Sequence, residues 1–272
     1  MAVMDANGTP RPAFRPARLG GLAAAALLRG PVISFAFVLG LWSLVGALQL
    51  VPEAIFPAPW SVWSATVEMW SMGTLQKDLA VSLRRAATGF AIGAALGVAT
   101  GLLTGRIAVI RMLLGPFLTL LRPIPAIALV PVAIVWFGIG EGSKTFVISY
   151  TVFLTVWFNT HHGMEYVPET YLRASRSLGA SRIREFLTVI VPAAAPYIFA
   201  GIRLGVALAF LSLVAAELSG ASSGIGYRLQ EARQYIRTDR MFSLLILLGL
   251  LGATVDLIVH RIGKKLVHWE QS

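Results

Sequence analysis

Apolar stretches long enough to cross a bilayer alternate with short polar ones along the chain. The first, Val32–Val51, runs twenty residues without a charge; roughly 18–20 such residues span a hydrocarbon layer. Further stretches cover Leu83–Thr104, Met112–Gly140, Phe146–Met164, Val189–Ala216 and Phe242–Val259. Backbone polar groups inside hydrocarbon must be satisfied within their own segment, so spans of this length are helices. The pattern predicts an all-α polytopic membrane protein with six transmembrane helices. It divides the chain into an N-terminal tail (1–31), a first span (32–51), a connecting segment (52–82), a five-span core (83–265) and a C-terminal tail (266–272).

Finer patterns lie on these segments. Pro52, Pro57 and Pro59 precede Trp60, Trp63, Val67 and Trp70, which recur on one helical face. Such a face suits the membrane interface, where an indole is half buried with its N–H wet, or packing on the rest of the protein. In the second span Gly89, Gly93, Gly97 and Gly101 are four apart and form a ridge without side chains, inviting close approach of another helix. The third span is interrupted by Arg122-Pro123-Ile124-Pro125 and by Pro131. Each proline removes a backbone donor. A helix broken in this way either borders a pathway or is a bent scaffold helix.

With 56% hydrophobic and 13% charged residues, the chain is too apolar for a soluble domain, in which about 25% of residues are charged. The net charge of +10 is not read as a nucleic-acid surface. Basic residues gather at cytoplasmic helix ends, and an even number of spans puts both termini on one side. The tails, the turn at Arg106–Arg111 and the loop after the fourth span hold thirteen Lys and Arg; the opposite side holds eight. Both termini are therefore expected in the cytoplasm. Cysteine is absent, so neither disulfides nor thiolate metal sites arise.

No phosphate-binding G-x-x-x-x-G-K-[ST] and no H-E-x-x-H motif occurs. The chain is expected to bind no metal or cofactor and to make no ATP site of its own. Arg122 and Arg203 are charges deep in apolar segments, a placement costing about 2.5–3.5 kcal/mol unless a partner or cavity receives them. Either could attract an anionic solute or be paired structurally. Glu217 is a candidate gate or partner residue, and Arg122, Pro123, Pro125, Arg203 and Glu217 are the candidate pathway residues. Outside, Arg233, Arg237 and Arg240 share a face that could draw an anion or be neutralised by Glu231 and Asp239.

The loop at 165–188 is basic and reads as two short helices. Tyr171, Leu172, Ala174, Ser175 and Leu178 fall near one face, with Arg173 and Arg176 elsewhere. Gly179 can end the first helix in a left-handed turn, and Ser181 can cap the second with Glu185 near its positive end. The spacing Arg173-Ala174-Ser175, three residues, Gly179, nine residues, Val189-Ile190-Val191-Pro192 resembles the coupling motif of ABC importer permeases, EAA, three residues, Gly, nine residues, I-x-L-P. The first Glu and second Ala are replaced; the spacing is complete.

Leu121-Arg-Pro-Ile-Pro125, Trp136-Phe-Gly-Ile-Gly140, Leu178-Gly-Ala-Ser181, Val214-Ala-Ala-Glu217 and Gly224-Ile-Gly226 extend the resemblance over residues 30–268, to the nitrate/sulfonate/taurine branch of binding-protein-dependent permeases. That resemblance implies a type I importer fold in a bacterial inner membrane. It also implies a second permease copy in a homodimer, two ABC ATPase subunits carrying MgATP, and a periplasmic solute-binding protein. Glu169, Tyr171, Leu172, Arg173, Ala174, Ser175, Arg176, Leu178, Gly179, Ala180 and Ser181 would engage the ATPase. The chain would be a non-catalytic subunit importing a small anion such as an aliphatic sulfonate, taurine, nitrate or bicarbonate. A heterocyclic or aromatic solute is the alternative within the family. A secondary transporter or channel working without ATP is the alternative outside it.

Overall fold

The computed structural model describes the chain over residues 21–266, with side chains from 32 to 265; both expected tails lie largely outside this range. Every regular element among the described residues is helical. The order is α1 (Gly21–Ala47), α2 (Pro59–Ser71), α3 (Thr74–Arg106), α4 (Ala108–Leu121), α5 (Ala126–Phe137), α6 (Glu141–Glu165), α7 (Glu169–Ser177), α8 (Arg182–Glu185), α9 (Val191–Leu218), α10 (Ile225–Gln234) and α11 (Thr238–Leu266). A five-residue π turn, Phe186–Ile190, joins α8 to α9. It precedes Pro192, whose missing N–H leaves the turn before it without its normal α-helical closure.

The core is a three-helix sandwich with α6 in the middle. A Cβ placed on Gly93, Gly97 or Gly101 would lie 2.5 Å from the Ser149 carbonyl oxygen, 2.8 Å from Val156 Cβ and 2.5 Å from Thr160 Cβ, respectively. Gly89 meets Ile148 and Gly105 meets Met164 in the same four-residue step, so α3 and α6 run parallel with their backbones in near contact. On the other side of α6, Gly163 meets Tyr197, Gly201 meets Asn159 and Gly205 meets Val156, an antiparallel pairing with α9. Ala86, Ile148, Val152, Val156, Val206, Ala209, Phe210 and Leu213 fill the space between.

Among the described residues, three helical stretches are long and apolar enough to cross a membrane: α3, the run 182–218 and α11. The expected third span is not one helix. The α4 and α5 axes meet at 106° across residues 122–125, because Pro123 and Pro125 remove donors where the helix would continue. Helix α6 is long enough but carries Lys144, Thr160, His161 and other polar groups; enclosed between α3 and α9, it has no need to be apolar all round. The first helix ends at Ala47, short of the expected Val51, and its Trp42 Nε1 donates to the Pro57 carbonyl at 2.9 Å.

Pro59 opens α2 at the position where a missing N–H costs nothing. Val62, Ala65 and Met69 form its buried face, while Trp60, Trp63, Val67 and Trp70 all stay exposed. The three tryptophans thus keep more than half of their surface exposed, although the Trp60 ring edge lies against α1 at Gly46.

Candidate functional site

Two polar constellations lie at opposite ends of the bundle. At one end α7 and α8 form a hairpin beyond α6. Helix α7 closes in a Schellman motif: the Gly179 N–H donates to the Arg176 carbonyl and the Ala180 N–H to the Ser175 carbonyl, both at 3.0 Å. Gly179 sits at φ +75°, a conformation that glycine adopts without strain. Ser181 then caps α8, its hydroxyl accepting from the Arg184 N–H.

Glu185 braces this hairpin. It is 2% exposed. Its carboxylate accepts from Arg176 Nε at 2.8 Å and from the Ser175 hydroxyl at 3.3 Å, and pairs with Arg106 of α3 at 3.5 Å. The hydrogen bond to Glu185 raises the Arg176 pKa further, so that guanidinium stays charged. An open hollow of about 990 Å³ beside the brace is lined by Arg106, Arg176 and Arg182 and by Ile107, Ile183 and Leu187. From its position near the start of α8, Glu185 is expected to have only a helix-dipole role. The signal that it clasps α7 was its spacing of nine residues from Arg176, which carries meaning only once the turn at Gly179 is folded.

The expected docking face of α7 is divided. Leu172 packs against Met164, Ile190 and Ala194, and Ser175 is buried. Tyr171, Ala174 and Leu178 point outward, with Leu178 87% exposed. The helix is tilted so that one edge of the stripe rests on its own chain. Glu169 and Arg173 form an exposed i, i+4 pair at 2.8 Å, worth little in stability.

At the other end, Arg85 of α3 gathers α6 and α9. It pairs with Glu217 at 2.8 Å and with Glu141 at 2.6 Å, and donates to the Ser223 carbonyl at 2.6 Å. Ser82 donates to Glu217 and accepts from the Ile225 N–H at 2.9 Å. The Gly226 N–H donates to Glu217 at 2.9 Å and the Gly224 N–H to Asp78 at 2.8 Å. The first-turn amides of α10 are thus taken up by acceptors from α3 and α9, closing the loop after α9 over the bundle. Glu217, 1% exposed, is enclosed by these groups and faces no open space within the chain. Asp78, Ser82 and Arg85 repeat at i, i+4 and i+7, a polar stripe legible in the sequence but masked there by the start of the apolar run.

Of the charges placed in the spans, Arg203 is bidentate to Asp256, at 2.8 Å through both Nε and Nη2, with His260 Nδ1 at 3.3 Å. Arg122 instead lies over the Phe158 ring, its guanidinium carbon 3.4 Å from the centroid. Pro123 and Pro125 form the corner beside it. Beside α2, Arg237 pairs with Glu68 and Asp239, and Arg240 with Glu68 at 3.0 Å. Their hydrogen bonds, that of Arg240 foremost, lower the Glu68 pKa. This arginine face is therefore largely neutralised, and of Arg233, Arg237 and Arg240 only Arg233 makes no ion pair among the described residues.

Residues 93–268 match the family described as binding-protein-dependent transport system inner membrane component. The chain belongs to this family. The permease is 36% identical over 237 residues to SsuC of Bacillus subtilis (strain 168), a protein named for aliphatic sulfonates transport, covering 87% of this chain and 86% of that one. It is 31% identical over 241 residues to the taurine transport system permease protein TauC of Escherichia coli (strain K12), covering 87% and 88%. Its fold is similar to that of the MetNI methionine ABC transporter in an inward-facing conformation, with a TM-score of 0.56 and 21% identity over 73% of this chain and 97% of that one. The family is one of transport-system membrane components.

Proposed function

We propose that the permease is the membrane subunit of an ATP-driven importer that carries a small oxyanion, of the sulfonate, taurine, nitrate or bicarbonate kind, into a bacterial cytoplasm by alternating access. The observation that carries this reading is the braced hairpin: Tyr171, Ala174 and Leu178 stand outward from a short helix that Glu185 ties to α3 and that Leu172 seats on the bundle. A rigid projection with an apolar edge is suited to seating in a groove of a soluble ATPase. Glu169, Arg173 and Arg176 would form its charged rim, and Gly179, Ala180 and Ser181 its fixed turn. Two ATPase subunits binding MgATP, a second copy of the permease and a periplasmic solute-binding protein would complete the assembly. Closure of the ATPases would pull on the hairpins, and the brace would pass that motion to α3.

Six crossings with both termini in the cytoplasm fit the same reading. The hairpin side carries the larger share of Lys and Arg. The helix directions support it: α3 and α6 run one way and α9 the other. The anionic solute is supported by the names of the relatives. Leu178→Glu tests the coupling role. Leu178 is almost wholly exposed, so the variant should insert and fold normally, lose copurification with its ATPase and lose uptake. Undiminished uptake by Leu178→Glu would dismiss the reading.

A further inference from the structure

Of Arg85, Arg122 and Arg203, two are answered within the chain. Arg85 meets Glu217 and Glu141, and Arg203 meets Asp256. Arg122 meets no carboxylate within 4 Å among the described residues, and none of its donors is used there. It is nonetheless held in place. One face of the guanidinium lies on Phe158, whose ring also touches His162 at 4.0 Å between centroids. The preceding carbonyl, Leu121, accepts from the Tyr150 hydroxyl at 2.8 Å, and Pro123 and Pro125 fix the corner that follows. By helix rise, Phe158 lies about 10 Å inside the hairpin end of α6 and about 25 Å from its other end. The charge therefore sits nearly a third of the way along α6 from the hairpin end, on a face that the rest of the chain leaves exposed.

An arginine facing hydrocarbon without a counter-ion is strongly disfavoured, so the open face of Arg122 must look into a wet cavity or onto an anion. A guanidinium stacked on a ring keeps its planar fork of N–H donors free along its edge, a shape that suits two oxygens of a sulfonate, nitrate or carboxylate. The break adds a second contribution. Helix α5 starts four residues on with no side-chain cap, and discontinuous membrane helices turn such positive ends toward anionic solutes.

We propose that Arg122, laid flat on Phe158 at the corner between α4 and α5, receives the oxyanion head of the solute inside the membrane. This rests on the anionic-solute reading above and gives it a location. Glu217 and Arg203 are then bracing groups, and Arg122 is the contact.

The absence of cysteine supplies the test. Ile124→Cys gives the permease its one thiol, at the corner, and its alkylation is read on the permease chain within the full importer, reconstituted with its ATPase and binding protein. Ethanesulfonate should slow alkylation of that thiol by a neutral maleimide about tenfold, the scale of a charge-assisted contact. Ethanesulfonamide, of the same shape without the charge, should not. Adding Arg122→Gln should abolish the protection, and Arg122→Lys should retain part of it. Equal protection in the Arg122→Gln background, or by the sulfonamide, would overturn the proposal. Uptake by the unsubstituted importer separates the two levels. If it takes up one of ethanesulfonate, taurine, nitrate or bicarbonate while that same anion leaves the thiol unprotected, Arg122 is not the contact and the anion reading stands. If it takes up none of them, the anion reading fails and this proposal falls with it.

Discussion

Glu217 illustrates how a single carboxylate can hold a loop shut. Removing one member of a buried ion pair leaves the other charge without compensation, at about 3–5 kcal/mol. Glu217→Ala is expected to destabilise the permease by about that amount in a detergent unfolding measurement. Joint replacement, Arg85→Met with Glu217→Leu, should cost less than Glu217→Ala alone, since no arginine is then stranded beside the site. Glu68 makes a pH-dependent clamp of α2 onto α11. Its pKa is depressed chiefly by the hydrogen bond from Arg240, so the clamp contributes fully above the ordinary carboxylate value of 4.5 and weakens as pH falls through the lower folded value. Protection of the α2 amides against exchange, relative to their intrinsic rates at each pH, should fall below about pH 4.5, and Glu68→Gln should lack that step. From sequence, Arg237 and Arg240 were visible as a cationic face with Asp239 as a local neutraliser, but the carboxylate they share, Glu68, lies 169 and 172 positions away, beyond the reach of any local pattern.

Among the helices, those with a strong period were the most legible. The four-residue glycine ladder of α3 needs only helical geometry to predict a smooth ridge; which helix fills it required the fold. Gly97→Leu would drive a side chain into Val156 and the backbone at Phe153 and Trp157, all within 3.0 Å of the added Cβ. Overpacking against backbone has no cheap relaxation. The variant should be lost from the monodisperse fraction after extraction, and wild-type yield would contradict the α3–α6 contact. The α4–α5 break was half legible: its prolines announced an interruption, but not a bend of 106°. The docking stripe of α7 misled because helical periodicity reports which residues share a face and not how a helix is tilted onto its neighbours. The π turn left no mark in the sequence other than Pro192.

For the whole molecule, the two polar constellations have different work. The one around Arg85 closes an end with satisfied, enclosed hydrogen bonds. The one around Glu185 links a projecting hairpin to α3 through Arg106 and Arg176, which are 34% and 61% exposed. If Glu185 transmits motion, Glu185→Ala should leave the ATPase bound and hydrolysing while uptake falls. The paired assay of phosphate release and solute accumulation checks this; a proportional loss of both would mean that the brace serves assembly alone.

One consequence follows from α3 and α6 running side by side in the same direction. A chain that has travelled down α3 must be carried back to the starting level before α6 can begin, so residues 107–140 are obliged to retrace the full depth of the bundle. Sliding cannot absorb a change there, because the glycine notches fix the two helices in register. Segment 107–140 is therefore a ruler, and trimming it by one helical turn would leave α6 without its seat.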